Sequence, residues 1–263
     1  MAMRPHHERA IRKLVEHFSK DETCLAIIVG GSVAKGLAKE GSDVDVMLVV
    51  TDEVFREKWE QNKLVYFSEE FCDHPGCYID GKIINLDYLR AVAERGNEVT
   101  RAAFDGAFIA HSKIDGLDEI LRRIPVYQMD QRQEKIQAFY AQFEIAHWLV
   151  GEAEKRDDKY LRDRAVSDLI LYGGRLILAH NCVLYPYHKL FMVALWNAPE
   201  KPDNLMALVN ALLEDHTVEN AKAFYDAVKN FRFWNEAWEL PALRFMKDTE
   251  LAWLENRAYI GDI

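Results

Sequence analysis

The run Leu25-Ala26-Ile27-Ile28-Val29-Gly30-Gly31-Ser32, followed after ten residues by Asp43-Val44-Asp45-Val46-Met47-Leu48-Val49-Val50, decides how this chain is read. The first apolar run ends on two glycines and a serine, so it reads as a strand leading into a tight turn. Glycine lets the backbone turn sharply and approach a ligand closely. Bare amides ahead of a helix start make a favourable phosphate site, and Lys35 adds a positive charge beside it. The second run is rich in β-branched residues and apolar on both faces beyond Asp45, as a strand covered on two sides would be. Positions i and i+2 of a strand share a face, so Asp43 and Asp45 project together. Two carboxylates this close repel each other unless a cation lies between them. Hard oxygen donors of this kind suit Mg²⁺, which commonly bridges carboxylates and substrate phosphates. The segment is not a Walker loop, because Leu37 follows Gly36 where that motif needs Lys.

Outward from this segment, the first half alternates between helix and strand. Ile11, Leu14, Val15 and Phe18 fall on one helical face. Thr51 and Asp52 are placed to cap a helix carrying Val54, Phe55 and Trp59. Tyr78-Ile79-Asp80-Gly81-Lys82-Ile83-Ile84 carries the Asp-Gly pair of a two-residue hairpin, with the following strand expected over 82–89. A last short strand is expected over 107–111. From Tyr127 onward strand signals vanish. Phe139, Phe143, Ala146 and Leu149, then Leu169 and Leu176, then Leu205, Leu208 and Leu212 repeat at helical spacing. Asp203 and Thr217 read as caps. Trp234, Trp238, Leu243, Phe245 and Trp253 are expected to fill the last helices. The fold class expected is α+β: a small mixed-sheet domain over 1–125, then an all-helical bundle of about five helices over 126–263.

Composition narrows the function classes. With 43 acidic against 33 basic residues the net charge is −10, which argues against a general nucleic-acid binder. No run approaches the ~18 apolar residues of a membrane span. The opening residues lack the apolar stretch of a signal peptide, so a cytoplasmic location is expected. Cys72 and Cys77 suggest zinc, but no second pair of ligands follows at metal spacing, and free thiols are expected.

Gly-Ser, then about ten residues, then Asp-x-Asp on an apolar strand resembles the signature of the DNA polymerase β-like nucleotidyltransferases. The likeness covers roughly residues 20 to 115. It implies a nucleoside triphosphate, ATP by family habit, as co-substrate and two Mg²⁺ ions held by Asp43 and Asp45. Gly30, Gly31, Ser32, Lys35 and Ser42 would line the nucleotide. Such enzymes add a third carboxylate from a neighbouring strand, and Asp80, Asp87 and Glu94 are the candidates. Asp80 is accounted for by the hairpin turn. Asp87 is read on the strand proper, sharing a face with Asn85, and is favoured as third metal ligand or proton acceptor. Glu94 reads as a solvated helix residue.

A unit of this kind joined to helices resembles the antibiotic nucleotidyltransferases that act on aminoglycosides or lincosamides. In the streptomycin/spectinomycin type, an arginine inside an apolar helix and a lysine opening the next helix reach the phosphates. Arg175 and Lys189 match those positions. The competing reading of Arg175 is a structural salt bridge with Asp168 or Glu144. His180 stands five residues after Arg175, a spacing also similar to HEPN-type ribonucleases, but a satisfied core histidine is the preferred reading. Glu144, Asp163 and Asp168 are acids that could meet a cationic acceptor, and Tyr187 and His188 sit in a turn suited to a substrate. The resemblance therefore implies transfer of a nucleoside monophosphate, AMP above others, to a hydroxyl of a small molecule such as an aminoglycoside-like compound. Two rivals stand beside it: a protein adenylyltransferase of the antitoxin type, and a non-catalytic nucleotide-binding protein.

Overall fold

The computed structural model describes residues 3–235 and 239–256. The chain divides into two compact units, Met1–Val126 and Tyr127–Ile263. Trp238 lies outside the described residues.

The first unit is built on a five-stranded mixed sheet. In chain order it contains α1 (Pro5–Phe18), β1 (Cys24–Val29), the short α2 (Gly31–Ala34), β2 (Val44–Val50), α3 (Asp52–Glu60), β3 (Val65–Ser68), β4 (Ile79–Ile84), α4 (Leu86–Arg95), α5 (Glu98–Ala102), β5 (Phe108–Ser112) and α6 (Leu117–Arg123). The strand order is β3-β4-β2-β1-β5. β2 runs antiparallel to β1 and parallel to β4, while β3 and β5 close the edges antiparallel to their neighbours. Alternation along the strands splits the core in two. Val44, Val46, Leu48 and Ile79 pack with Ile11 and Leu14 of α1 on one face. Met47, Val49 and Ile84 pack with Leu89 of α4 and Leu117 and Leu121 of α6 on the other. The helical spacing of Ile11 and Leu14 and the doubly apolar β2 thus have one cause, a sheet buried on both sides.

Two expectations fail on β4. The strand passes straight through Asp80-Gly81, and no hairpin forms there. Gly81 lies opposite Val46, and a Cβ on it would overlap the Val46 carbonyl oxygen. Close approach of two strands, not a turn, explains the glycine. The strand also ends early, at Ile84. Asn85 caps α4 by accepting from the Tyr88 N–H at 2.9 Å, while its side-chain amide donates to Asp52. Asp87 therefore sits in the first turn of α4, not on a strand. Its exposed carboxylate pairs with Arg90 at 3.1 Å, three residues on.

Arg101 escaped the sequence reading and holds much of the lower core. It is 3% exposed. Its guanidinium donates to the carbonyls of Ala93, Gly96 and Ile124 at 2.9, 2.9 and 3.0 Å. It thereby ties the end of α4 to the end of α6. Arg101→Met keeps the stem but orphans those carbonyls, and should cost about 3 kcal/mol, read as a lower denaturant midpoint at unchanged slope.

The second unit is helical among its described residues: α7 (Arg132–Arg156), α8 (Lys159–His180), α9 (His188–Asn197), α10 (Leu205–Glu214), α11 (Val218–Phe231) and α12 (Pro241–Asp248). Asp157 takes the left-handed conformation at φ 50° and Asp158 caps α8, so α8 folds back along α7. Phe143, Leu169, Tyr172, Leu176 and Phe224 are fully buried between α7, α8 and α11. Thr217 caps α11 as expected. The cap of α10 is Asn204, one residue beyond Asp203. Trp253 is exposed, in a 3-10 turn, and fills no helix. No helix among the described residues is long and apolar enough to cross a membrane. All four cysteines are free thiols. Burial, and then a hydrogen bond with Cys77, pushes the Cys72 thiol up to about 12.

Candidate active site

The site assembles at one edge of the sheet, where β1 ends and β2 and β4 begin. Gly30 leaves β1 and donates its N–H to the Asp45 carbonyl at 2.9 Å, which fixes the turn against the start of β2. Gly31 follows with φ +61°, a conformation that favours glycine. Here a Cβ would overlap the Asp45 carboxylate itself. Gly31 therefore brings backbone and carboxylate together more closely than a side chain allows. Ser32 lies in the single turn of α2, and its hydroxyl is buried with no hydrogen-bond partner among the described residues. An orphan hydroxyl on a glycine turn is a donor left over by the fold.

Asp43 immediately precedes β2 and Asp45 is its second residue. The register places Asp80 of β4 directly beside Asp45 in the parallel ladder. In-register neighbours of a sheet share a face. Asp43, Asp45 and Asp80 thus lie on one face, at one end. Tyr78, two residues before Asp80, reports the convergence. The charge of Asp43, then desolvation, then the charge of Asp80, a hydrogen bond with Asp43 and the charge of Asp45 push its phenol above the usual range. One hydroxyl thus feels all three carboxylates.

Other residues singled out from sequence are placed differently. Lys35 caps α2, but its ammonium donates to the Ala102 carbonyl at 3.2 Å and lies 3.5 Å from Asp105. The Ser42 hydroxyl accepts from the Lys39 N–H at 2.8 Å and so closes the turn that leads into Asp43. The same turn is held from α1, because His7 is hydrogen-bonded to the Ser42 carbonyl at 2.9 Å. Asp87 is not brought to the three acids, for it belongs to α4.

In the second unit, Arg175 is 4% exposed, its guanidinium 4.0 Å from the Phe139 ring centre and 4.7 Å from that of Tyr185. Asp168 is instead engaged by Arg164 at 2.7 Å, and burial raises its carboxyl above the ordinary range. Glu144 is taken by Lys229 at 3.0 Å and by the Tyr225 hydroxyl at 2.9 Å. Asp163 pairs with Lys159 and His216, and His180 with Glu200 at 3.0 Å. Tyr187 is the N-cap of α9 and exposed, at φ 67°. His188 bonds the Tyr185 hydroxyl at 3.2 Å, and Lys189 is exposed in the same first turn.

Among the described residues no group of three or more His, Cys, Asp or Glu side chains is placed to hold a metal ion. The donors present still fit Mg²⁺, which keeps waters and is commonly held by one or two carboxylates plus substrate phosphates. Asp43 and Asp45 would supply the carboxylates, and the glycine turn beside them would face the phosphates. The sequence signals that would have found Asp80 and Tyr78 were the alternation of Tyr78-Ile79-Asp80 and an apolar run continuing past Gly81.

None of the curated proteins matches the chain. A solved structure of a nucleotidyltransferase-like protein from Exiguobacterium sibiricum is similar over 86% of this chain and 74% of its own, at 10% identity and a TM-score of 0.49. Residues 11–92, which contain the glycine turn and all three acids, match the family model of the nucleotidyltransferase domain, so the chain carries that domain ahead of a helical region.

Proposed function

We propose that the protein transfers a nucleoside monophosphate, AMP from ATP in the first instance, to a hydroxyl of a small-molecule acceptor in a Mg²⁺-dependent reaction. The observation that carries this reading is the gathering of Asp43, Asp45 and Asp80 on one sheet face against the turn Gly30-Gly31-Ser32. Asp43 and Asp45 would hold the metal, which when bound offsets the charge that develops on the transferring phosphoryl group. The Gly31 and Ser32 amides and the Ser32 hydroxyl would hold the β- and γ-phosphates. Asp80 takes the role first given to Asp87. It accepts the proton of the acceptor hydroxyl as that oxygen forms its bond to the α-phosphorus. The bond from the α-phosphorus to the bridging oxygen breaks in the same displacement, and pyrophosphate leaves with the electron pair. Glu144 and Asp168 are already paired, so they are weak candidates for an acceptor.

The test is pyrophosphate release from each nucleoside triphosphate with Mg²⁺, against a panel of aminoglycosides, lincosamides and simple ring alcohols. Asp80→Asn should lower the acceptor-dependent rate by about a hundredfold or more, as loss of a positioned proton acceptor does. Asp87→Asn should leave it within twofold, because its carboxylate meets only Arg90 and solvent. Equal losses from both variants would overturn the assignment of Asp80. Absence of any Mg²⁺-dependent triphosphate binding would overturn the transferase reading.

A further inference from the structure

The sheet face that carries the three acids continues beyond them. Along β4 the residues on that face are Asp80, Lys82 and Ile84, and along β2 they are Asp45, Met47 and Val49. The edge strand adds Phe67 beside Asp80 and Val65 beside Lys82. Phe67 and Val65 are 59% and 74% exposed, which is unusual for large apolar side chains on the working face of a sheet. The Phe67 ring lies 5.4 Å from that of Tyr78, so two aromatic rings stand next to the acids. Behind Lys82 a pocket of about 100 Å³ opens between the sheet and α4 and α5, lined by Met47, Tyr88, Val99, Thr100 and Phe104 as well. Lys82 has no ion-pair partner among the described residues.

In-line displacement decides which substrate this strip serves. Entering and leaving oxygens lie on opposite sides of the phosphorus. The glycine turn presses on Asp45 from the β1 side, so pyrophosphate departs there. The attacking hydroxyl must then enter from the other side, where β4 and β3 lie and Asp80 stands ready. We infer that the acceptor docks on Val65, Phe67 and the pocket behind Lys82, and that it is a ring alcohol bearing an anionic group. The exposed apolar pair fits the face of a ring. At about 100 Å³ the pocket is smaller than a ~150 Å³ cavity known to admit benzene, and fits a substituent or a ring edge. Lys82 fits the anionic group and disfavours the polycationic acceptors of the aminoglycoside class. This inference rests on the transferase reading above.

Three matched alcohols test it on the full chain: 4-(hydroxymethyl)benzoate, benzyl alcohol and 4-(aminomethyl)benzyl alcohol. Binding is followed by ligand-observed NMR with Mg²⁺ and ATP, using the Asp43→Asn variant to prevent turnover, and AMP transfer is followed with the unaltered protein. The benzoate should bind about fivefold more tightly than the ammonium compound, the scale of one exposed ion pair. Lys82→Glu should reverse that order, and Phe67→Ala should weaken all three by about tenfold. Both residues are exposed, so neither variant threatens the fold. The inference is overturned if the ammonium compound binds as tightly as the benzoate, or if Lys82→Glu leaves the ranking unchanged. Those failures leave the transferase reading intact provided ATP still binds with Mg²⁺. Loss of Mg²⁺-dependent ATP binding in the unaltered protein would sink both.

Discussion

Asp45→Asn is expected to lower nucleotidyl transfer by about a thousandfold, with the fold intact. The substitution keeps size and shape, which matters because Gly31 lies directly against the carboxylate and leaves no room for a larger group. What it removes is charge. A metal that stabilises the transferring phosphoryl group contributes several kcal/mol, and each 1.36 kcal/mol is about tenfold in rate. Weakening its anchor at one of two carboxylates should forfeit about 4 kcal/mol of that. The loss should appear in kcat at saturating ATP and be partly recovered at high Mg²⁺, while circular dichroism and the denaturant midpoint stay near those of the unaltered protein. A rate within tenfold of the original would mean that Asp45 is an ordinary strand-end acid and that the site lies elsewhere.

The second large effect is on stability. Gly81→Ala is expected to cost about 4 kcal/mol or more, enough to unfold a marginal domain. β4 runs alongside β2, and a methyl at position 81 would overlap the Val46 carbonyl oxygen. A backbone atom in a central strand cannot rotate away as a side chain would, so the two strands must separate. Asp80 sits one residue before this contact and Asp45 one residue before Val46. Partial separation would therefore also pull the acids apart, and any folded fraction should be inactive. Equilibrium denaturation checks the first point and specific activity of the folded fraction the second. A change under 1 kcal/mol would mean that residues 80 and 81 form a surface turn after all, where alanine at position 81 would be tolerated far better.

The contrast between Gly31 and Gly81 marks where sequence reading succeeds. Gly31 belongs to a local pattern, strand then glycines then serine, and its purpose is legible because the chain neighbours explain it. The Asp-x-Asp spacing is legible for the same reason, since strand alternation converts two sequence positions into one shared face. The mixed sheet followed by helices was also readable, because apolar runs and helical periods are local signals. Gly81 belongs to a pair made across 35 residues, and nothing beside it in sequence reveals Val46. Its most common local meaning, an Asp-Gly turn, was therefore the wrong one. The same error put Asp87 on the sheet, because a strand assumed to start at Lys82 was carried on through Asn85, which in fact caps a helix.

What the sequence by itself determined is the chemistry on offer: two acids on one strand face, a glycine turn fit for phosphate, and a nucleotidyltransferase-like first half. Only the tertiary structure decided which third acid joins them, through the register of β4 against β2. It alone showed that Lys35, Ser42, Glu144 and Asp168 already have partners, and that Val65, Phe67 and Lys82 share the face of Asp45 and Asp80. The physical reason is the same throughout. Backbone periodicity is written within a dozen residues, whereas strand register, burial and charge pairing depend on partners far away in the chain, which no local pattern encodes.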